Sequence, residues 1–144
     1  MRKLILLSLP MFLIIVFSGA ASAQKDRFVG SFVNEDAKTR GVTRLTLNDD
    51  DTIHVWGRCH PRDCDWGPET AFAYGSQVET DLRTAADAVT ATYVKGFATT
   101  ILIITPLRDD AIRVDVFTRF TDRSRRSAFA QSYVLVREGT KPQL

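Results

Sequence analysis

The chain has 144 residues, of which 44% are hydrophobic and 25% are charged. Its 19 basic and 17 acidic residues give a net charge of +2, which argues against the strongly basic surface of a general nucleic-acid-binding protein. A chain of this length and composition is expected to form one globular domain with a single hydrophobic core.

The first 23 residues have the pattern of a secretory signal peptide. Arg2 and Lys3 precede an apolar run over residues 4–17. Small residues at 21–23 then provide a cleavage site. The apolar run is shorter than the ~20 residues of a membrane-spanning helix, so we expect cleavage and no stable membrane anchor afterwards. The remaining chain, 24–144, has 17 basic and 17 acidic residues, so its net charge predicts neither a nucleic-acid nor an anionic-membrane partner.

Eight segments after residue 24 have the features of β-strands. Several alternate apolar and polar residues with a period of two, which is typical of a half-buried strand. In residues 41–47, for example, Leu45 and Leu47 share a face opposite Val42, and in residues 52–57 Ile53 and Val55 share a face. In chain order the predicted strands are 28–34, 41–47, 52–57, 70–78 (weakened or bulged at Gly75), 89–95, 98–105, 111–121 and 128–137.

Regularly spaced strands joined by short turns favour an antiparallel barrel or sandwich. The many sequential hairpins favour the barrel, so we predict an all-β, up-and-down barrel of about eight strands over residues 24–144. Residues 80–88 fit either one short helix, with Thr80 as its cap, or a loop. The strand at 98–105 is apolar on both faces, so its outer face is expected to be covered by residues 80–88, covered by a partner subunit, or exposed.

Residues 56–67, WGRCHPRDCDWG, contain both cysteines and both tryptophans. An exported chain permits disulfides, and Pro61 favours a turn that returns Cys64 to Cys59, so we predict a disulfide between these two residues. Too few further ligands are present for a zinc site, and the spacing is not Cys-x-x-Cys. We therefore predict no metal, no cofactor and no redox centre.

Two groups of side chains are candidates for binding. Trp56 and Trp66 could stack on sugars, on other planar rings or on cations; alternatively, both indoles pack against the disulfide and plug one end of the barrel. His60 and Arg62 lie between the cysteines, where a partner protein could contact them.

The second group is rich in arginine, with Arg119 on the seventh strand and Arg125 in the turn that follows it. These guanidinium groups could bind an anion or a partner carboxylate, or the turn could simply be solvated, with Asp122 paired to one arginine.

The sequence contains neither a Gly-x-Ser-x-Gly elbow nor a His-Glu-x-x-His helix motif. His54 or His60 could form an acid–base pair with a nearby aspartate, but no nucleophile accompanies them in the pattern that covalent catalysis needs. We predict no catalytic residue.

The segment 55–67, together with GVTRLTL at 41–47 and FTRFTDRSRR at 117–126, resembles a family of small exported bacterial proteins. Its mark is Trp-Gly-x-Cys-x-Pro-x-x-Cys-Asp-Trp-Gly, and the resemblance extends from about residue 28 to residue 137. The family has no established biochemical function, so the resemblance implies homology but no mechanism. More loosely, Gly30-Ser31-Phe32 and Arg137 are similar to lipocalin-like barrels, in which a late basic residue packs across the first strand.

The sequence thus predicts an exported, periplasmic or extracellular binding protein, with a small molecule or envelope component at the barrel mouth near Trp56 and Trp66. The alternative is a protein-interaction or inhibitor module that presents residues 59–64 to an exported partner.

Overall fold

The computed structural model describes residues 27–82 and 85–139, and the predicted signal peptide lies outside them. The described chain forms eight antiparallel strands that pair in sequence order, and the first also pairs with the last, so the sheet is a closed barrel. The predicted all-β, up-and-down barrel is therefore confirmed. The strands are β1 Gly30–Asn34, β2 Val42–Leu47, β3 Thr52–Gly57, β4 Cys64–Tyr74, β5 Ala88–Lys95, β6 Ala98–Arg108, β7 Ala111–Phe120 and β8 Phe129–Arg137.

Six strands match their predicted bounds to within two residues, but β4 and β6 extend further because they pair with a neighbour. β4 begins at Cys64 rather than at residue 70, since its first residues pair with the end of β3. It ends at Tyr74, so the predicted continuation of this strand through Gly75 to residue 78 is wrong. β6 continues through Pro106, where the ladder with β7 shifts register; a proline is tolerated at such an irregularity.

The connection between β4 and β5 contains no helix in the residues that the structure describes, which exclude 83–84. Among the described residues of this connection, the backbone N–H of Ala85 donates to the carbonyl of Asp81, four residues earlier, at 2.9 Å. Ala86 follows and is fully buried in the core. Across residues 27–82 and 85–139, no helix is long and apolar enough to cross a membrane.

The inward faces of the strands form the hydrophobic core. Leu45, Ile53 and Val55 are fully buried, as the period-two pattern predicts. Val42 is also buried, although the pattern places it on the outer face, because the β2–β3 ladder shifts register between Val42 and Arg44. On β6, Leu102 points inward, whereas Ile101 is 42% exposed on the outer wall.

One end of the barrel is closed by the side chain of Arg137. Its guanidinium group donates hydrogen bonds to the carbonyl oxygens of Val29 (2.7 Å) and Arg27 (3.1 Å), and it lies 4.7 Å from the ring centroid of Phe32. Gly30 has a φ of +126°, and a Cβ there would meet the guanidinium at 2.5 Å. This end is therefore built on a glycine, an aromatic ring and a basic side chain.

We expect Arg137→Met to lower the free energy of unfolding by about 2–4 kcal/mol, since it removes charge-assisted hydrogen bonds and a cation–π contact. Urea denaturation measures the change. Arg113→Met is the matched control, because Arg113 pairs with Asp115 on the exposed outer wall, where an ion pair contributes about 1 kcal/mol or less. Equal losses in the two variants would contradict this account of the closed end.

Candidate functional site

The opposite end of the barrel is hollow. A cavity of about 470 Å³ opens there, within the range of about 300–1,000 Å³ found for small-molecule sites. It lies between the ends of β2 to β8 that face away from the Arg137 closure. Six aromatic side chains line it: Trp66, Tyr93, Phe97, Phe120, Phe129 and Tyr133.

Small residues at inward positions create this space. On β6 and β7, inward side chains in the core are large, as at Leu102 and Val114. Toward the open end they are smaller: Ala98, Thr100 and Thr118 line the cavity. An eight-stranded barrel is just wide enough for side chains to fill, so short side chains in one layer leave a void.

Two glycines make room for the aromatic walls. A Cβ on Gly57 would meet the indole nitrogen of Trp66 at 2.8 Å, and a Cβ on Gly41 would meet the hydroxyl of Tyr133 at 1.8 Å. The Trp66 ring therefore lies directly against the backbone at the end of β3, and the Tyr133 ring lies against the backbone just before β2. This close approach fixes the direction in which Trp66 and Tyr133 face the cavity.

The floor of the cavity is uncharged. Tyr93 is 1% exposed and packs edge-on against Trp66, with ring centroids 5.5 Å apart. Its hydroxyl donates to the carbonyl of Ile53 at 3.2 Å. Burial raises the pKa of Tyr93 far above its ordinary value, and the nearby Glu69 and Asp65 carboxylates raise it further. Tyr93 therefore remains a neutral donor throughout the physiological range.

Basic side chains stand at the cavity edge. Lys95 donates from Nζ to the carbonyl of Trp66 at 2.8 Å, and Arg58 donates to the carbonyls of Thr39 and Ala37. Arg40 makes no hydrogen bond or ion pair with any residue that the structure describes. The cavity thus combines apolar walls with a polar, mainly basic edge.

The predicted disulfide between Cys59 and Cys64 is present, with their Cα atoms 5.4 Å apart. Both cysteines border the cavity. A disulfide is typical of exported proteins. Closing so short a loop stabilises the fold by only about 2 kcal/mol in the chain-entropy model, so its main effect is to hold the shape of this part of the mouth.

The two tryptophans are not brought together. Trp66 points into the barrel, whereas Trp56 lies on the outer wall, stacked on His54 with ring centroids 4.1 Å apart. The guanidinium group of Arg44 lies 4.0 Å from the Trp56 ring. These contacts cover the indole of Trp56, which does not line the cavity.

His54 does pair with an aspartate, as the acid–base alternative requires. Its Nε2 contacts the carboxylate of Asp65, which also accepts the backbone N–H of Gly67 at 2.7 Å. The Gly67 bond, followed by the His54 bond, lowers the pKa of Asp65. The pair joins β3 to β4 on the outer wall, beside the stacked ring of Trp56.

The other predicted binding residues lie outside the cavity. His60 and Arg62 are exposed between the cysteines, and Arg125 is exposed in the turn at 121–128. Arg119 borders a groove of about 480 Å³ on the outer wall. Asp122 pairs with Arg126, and hydrogen bonds from Ser124 and Arg126 lower its pKa.

Sequence reasoning missed most of the aromatic lining. The sequence did not mark Tyr93, Phe97, Phe120, Phe129 or Tyr133 as binding residues. Several of these aromatic residues lie near the strand ends that meet at the open end of the barrel. The sequence could indicate an aromatic cavity only after the order and direction of the strands were known.

Within the described ranges, no three His, Cys, Asp or Glu side chains are grouped so that they could hold a metal ion. The fold and the site define a closed eight-stranded barrel with one hollow, aromatic end. No protein-family model, curated protein or solved structure matches the chain.

We expect Gly57→Ala to destabilise the protein by about 1–3 kcal/mol, because the added methyl group displaces the Trp66 ring from a packed position. In a Trp56→Phe background, the emission of Trp66 should shift as its surroundings change. Gly96→Ala is the control, since a Cβ at Gly96 has no heavy atom within 4 Å. A Gly57→Ala protein as stable as the control, with unchanged emission, would contradict the predicted contact.

Proposed function

We propose that the protein binds a small, largely apolar ligand in the cavity at the open end of its barrel. The observation that carries this proposal is the cavity of about 470 Å³ with six aromatic side chains in its wall. Such a wall offers apolar area and ring faces or edges on which planar or alicyclic groups pack. Binding would remove these groups from water, which is the main source of affinity in apolar pockets.

The edge of the cavity indicates how a ligand would be oriented. Arg40, Arg58 and Lys95 border the opening, against the single carboxylate of Asp65. A ligand with an apolar body and a polar or anionic end would therefore place its body against Trp66 and Tyr93. Its charged end would remain at the basic edge, where less desolvation is required.

The proposal includes export and kinship with the small exported proteins that share the motif at residues 56–67. The disulfide between Cys59 and Cys64 supports an oxidising compartment. In this setting the candidate ligands are small molecules or components of the cell envelope.

Ligand binding is tested with Trp66 as the only tryptophan, in a Trp56→Phe protein titrated with the aromatic anion anilinonaphthalene sulfonate. We expect saturable quenching of Trp66 emission, with transfer of energy to the probe. Thr100→Phe should weaken binding at least about tenfold, because its ring fills part of the cavity beside Thr118.

Thr99→Phe is the matched control, since Thr99 is the adjacent residue of β6 and faces the outer wall. Thermal unfolding of both variants shows whether the fold is intact. Equal binding by the two variants, or no binding by the Trp56→Phe protein, would count against a ligand in the cavity.

A second candidate function is supported by the disulfide loop at 59–64. The disulfide joins its ends, Arg58 beside it pairs with Asp63 at 3.3 Å, and His60 and Arg62 are exposed to solvent. A preformed loop of this kind loses little conformational entropy when a partner protein binds it.

For that function, we expect Arg62→Glu to abolish the capture of an exported partner in pull-down experiments without changing thermal stability. Arg113→Glu, which makes the same charge change on the wall of β7, should leave capture unchanged. The same set of captured proteins with both variants would exclude the loop as the contact surface.

A further inference from the structure

The barrel topology sorts the charged residues to two ends. Successive connections of an up-and-down barrel lie at alternate ends, so 48–51, 75–87 and 109–110 lie at the end closed by Arg137. The described residues of these three connections include no basic side chain and eight acidic ones: Asp49, Asp50, Asp51, Glu79, Asp81, Asp87, Asp109 and Asp110.

The connections on the open side have the opposite sign. Segments 35–41, 58–63, 96–97 and 121–128 contain seven basic residues against four acidic ones. The greatest concentration is in 121–128, where three arginines accompany one aspartate. Arg126 pairs with Asp122, but Arg123 and Arg125 form no ion pair with any residue described in the structure.

Exposed phenylalanines lie beside these arginines. Phe97 in the β5–β6 turn is 52% exposed, and Phe129 at the start of β8 is 45% exposed. The guanidinium group of Arg126 lies 3.8 Å from the ring centroid of Phe120 and 5.7 Å from that of Phe97. We call this surface the basic aromatic rim: Lys95, Phe97, Arg119, Phe120, residues 121–128 and Phe129.

We propose that the basic aromatic rim docks the open end of the barrel onto the surface of an anionic lipid bilayer. Phenylalanine rings interleaved with basic side chains match the region between lipid headgroups and acyl chains. Each Lys or Arg near an anionic leaflet strengthens binding about fivefold. At the far end the eight carboxylates outnumber Arg27, Arg108 and Arg137, so the same leaflet repels that end and the field of the protein turns the rim toward the membrane.

A bilayer fits the rim better than a protein partner does. The rim offers flexible cationic groups and rings rather than a fixed set of hydrogen-bonding groups, and a lipid surface requires no matching shape. The cavity is lined by Phe97, Phe120 and Phe129 of the rim, so docking places its opening against the lipid. Docking does not rest on the proposed ligand, because it can be measured with the empty protein.

The test is sedimentation of the protein, from residue 24 onward, with two kinds of vesicle. One contains phosphatidylcholine alone, and the other contains phosphatidylcholine and phosphatidylglycerol in equal amounts. We expect binding only to the anionic vesicles, lost near 1 M salt, where the Debye length falls to about 3 Å. The double variant Arg123→Gln, Arg125→Gln should bind about twenty-five-fold more weakly.

The matched control is Arg27→Gln, Arg108→Gln, which removes two positive charges from the closed end, where Arg27 pairs with Asp109 and Arg108 pairs with Asp110 and with Glu35, the residue after β1. It should bind anionic vesicles as the parent does. No binding to anionic vesicles, or equal weakening by both double variants, would overturn the proposal.

Capture of an acidic protein that requires Arg123 and Arg125, without vesicle binding, would assign the rim to a protein partner instead. Thr100→Phe changes the cavity and not the rim, so it should weaken ligand binding without weakening vesicle binding. Ligand binding and membrane docking can therefore fail independently.

Discussion

The pairing of β1 with β8 is the contact on which the structure depends, because it turns a meander of hairpins into a closed barrel with an inside. It joins Phe32 to Arg137, Val33 to Val136 and Asn34 to Leu135, over the full height of a short first strand. Arg137 strengthens this seam from within, by binding the backbone that precedes β1 and covering the ring of Phe32. Without the seam, two sheet edges would be open to other chains, and the cavity would have no wall.

The packing of the barrel interior differs between its two halves. Large aliphatic side chains fill the half near Arg137, where Leu45, Ile53 and Leu102 are fully buried. In the other half, glycine, alanine and threonine at inward positions leave space, and aromatic rings surround it. The packed core that stabilises the fold and the proposed binding site therefore lie in separate halves of the barrel. The packed half holds the strands in register, so the aromatic half can remain hollow without collapsing.

The same topology gives the molecule its electrical polarity. Net charge near zero argued against a charged partner, yet net charge does not report where the charges lie. The connections at the closed end are acidic and those at the open end are together basic, because the barrel places alternate connections at opposite ends. The hollow end is consequently the basic end, and the half-exposed rings of Phe97 and Phe129 lie beside arginines at its opening. The cavity and the excess of basic residues thus lie at the same end of the barrel.

Local patterns in the sequence determined the strand count, the shared face of Ile53 and Val55 on β3, and the disulfide between Cys59 and Cys64, because each depends on residues close together in the chain. The early start of β4, the burial of Val42 and the passage of β6 through Pro106 depend on register with a neighbouring strand, which no local pattern contains. The tryptophans looked like a pair, but the turn at 58–63 and the register shift in the β3–β4 ladder put Trp56 outside and Trp66 inside. Only the closed barrel decided the cavity and the charged ends, since both are made by residues that meet when distant strands and connections are placed around one axis.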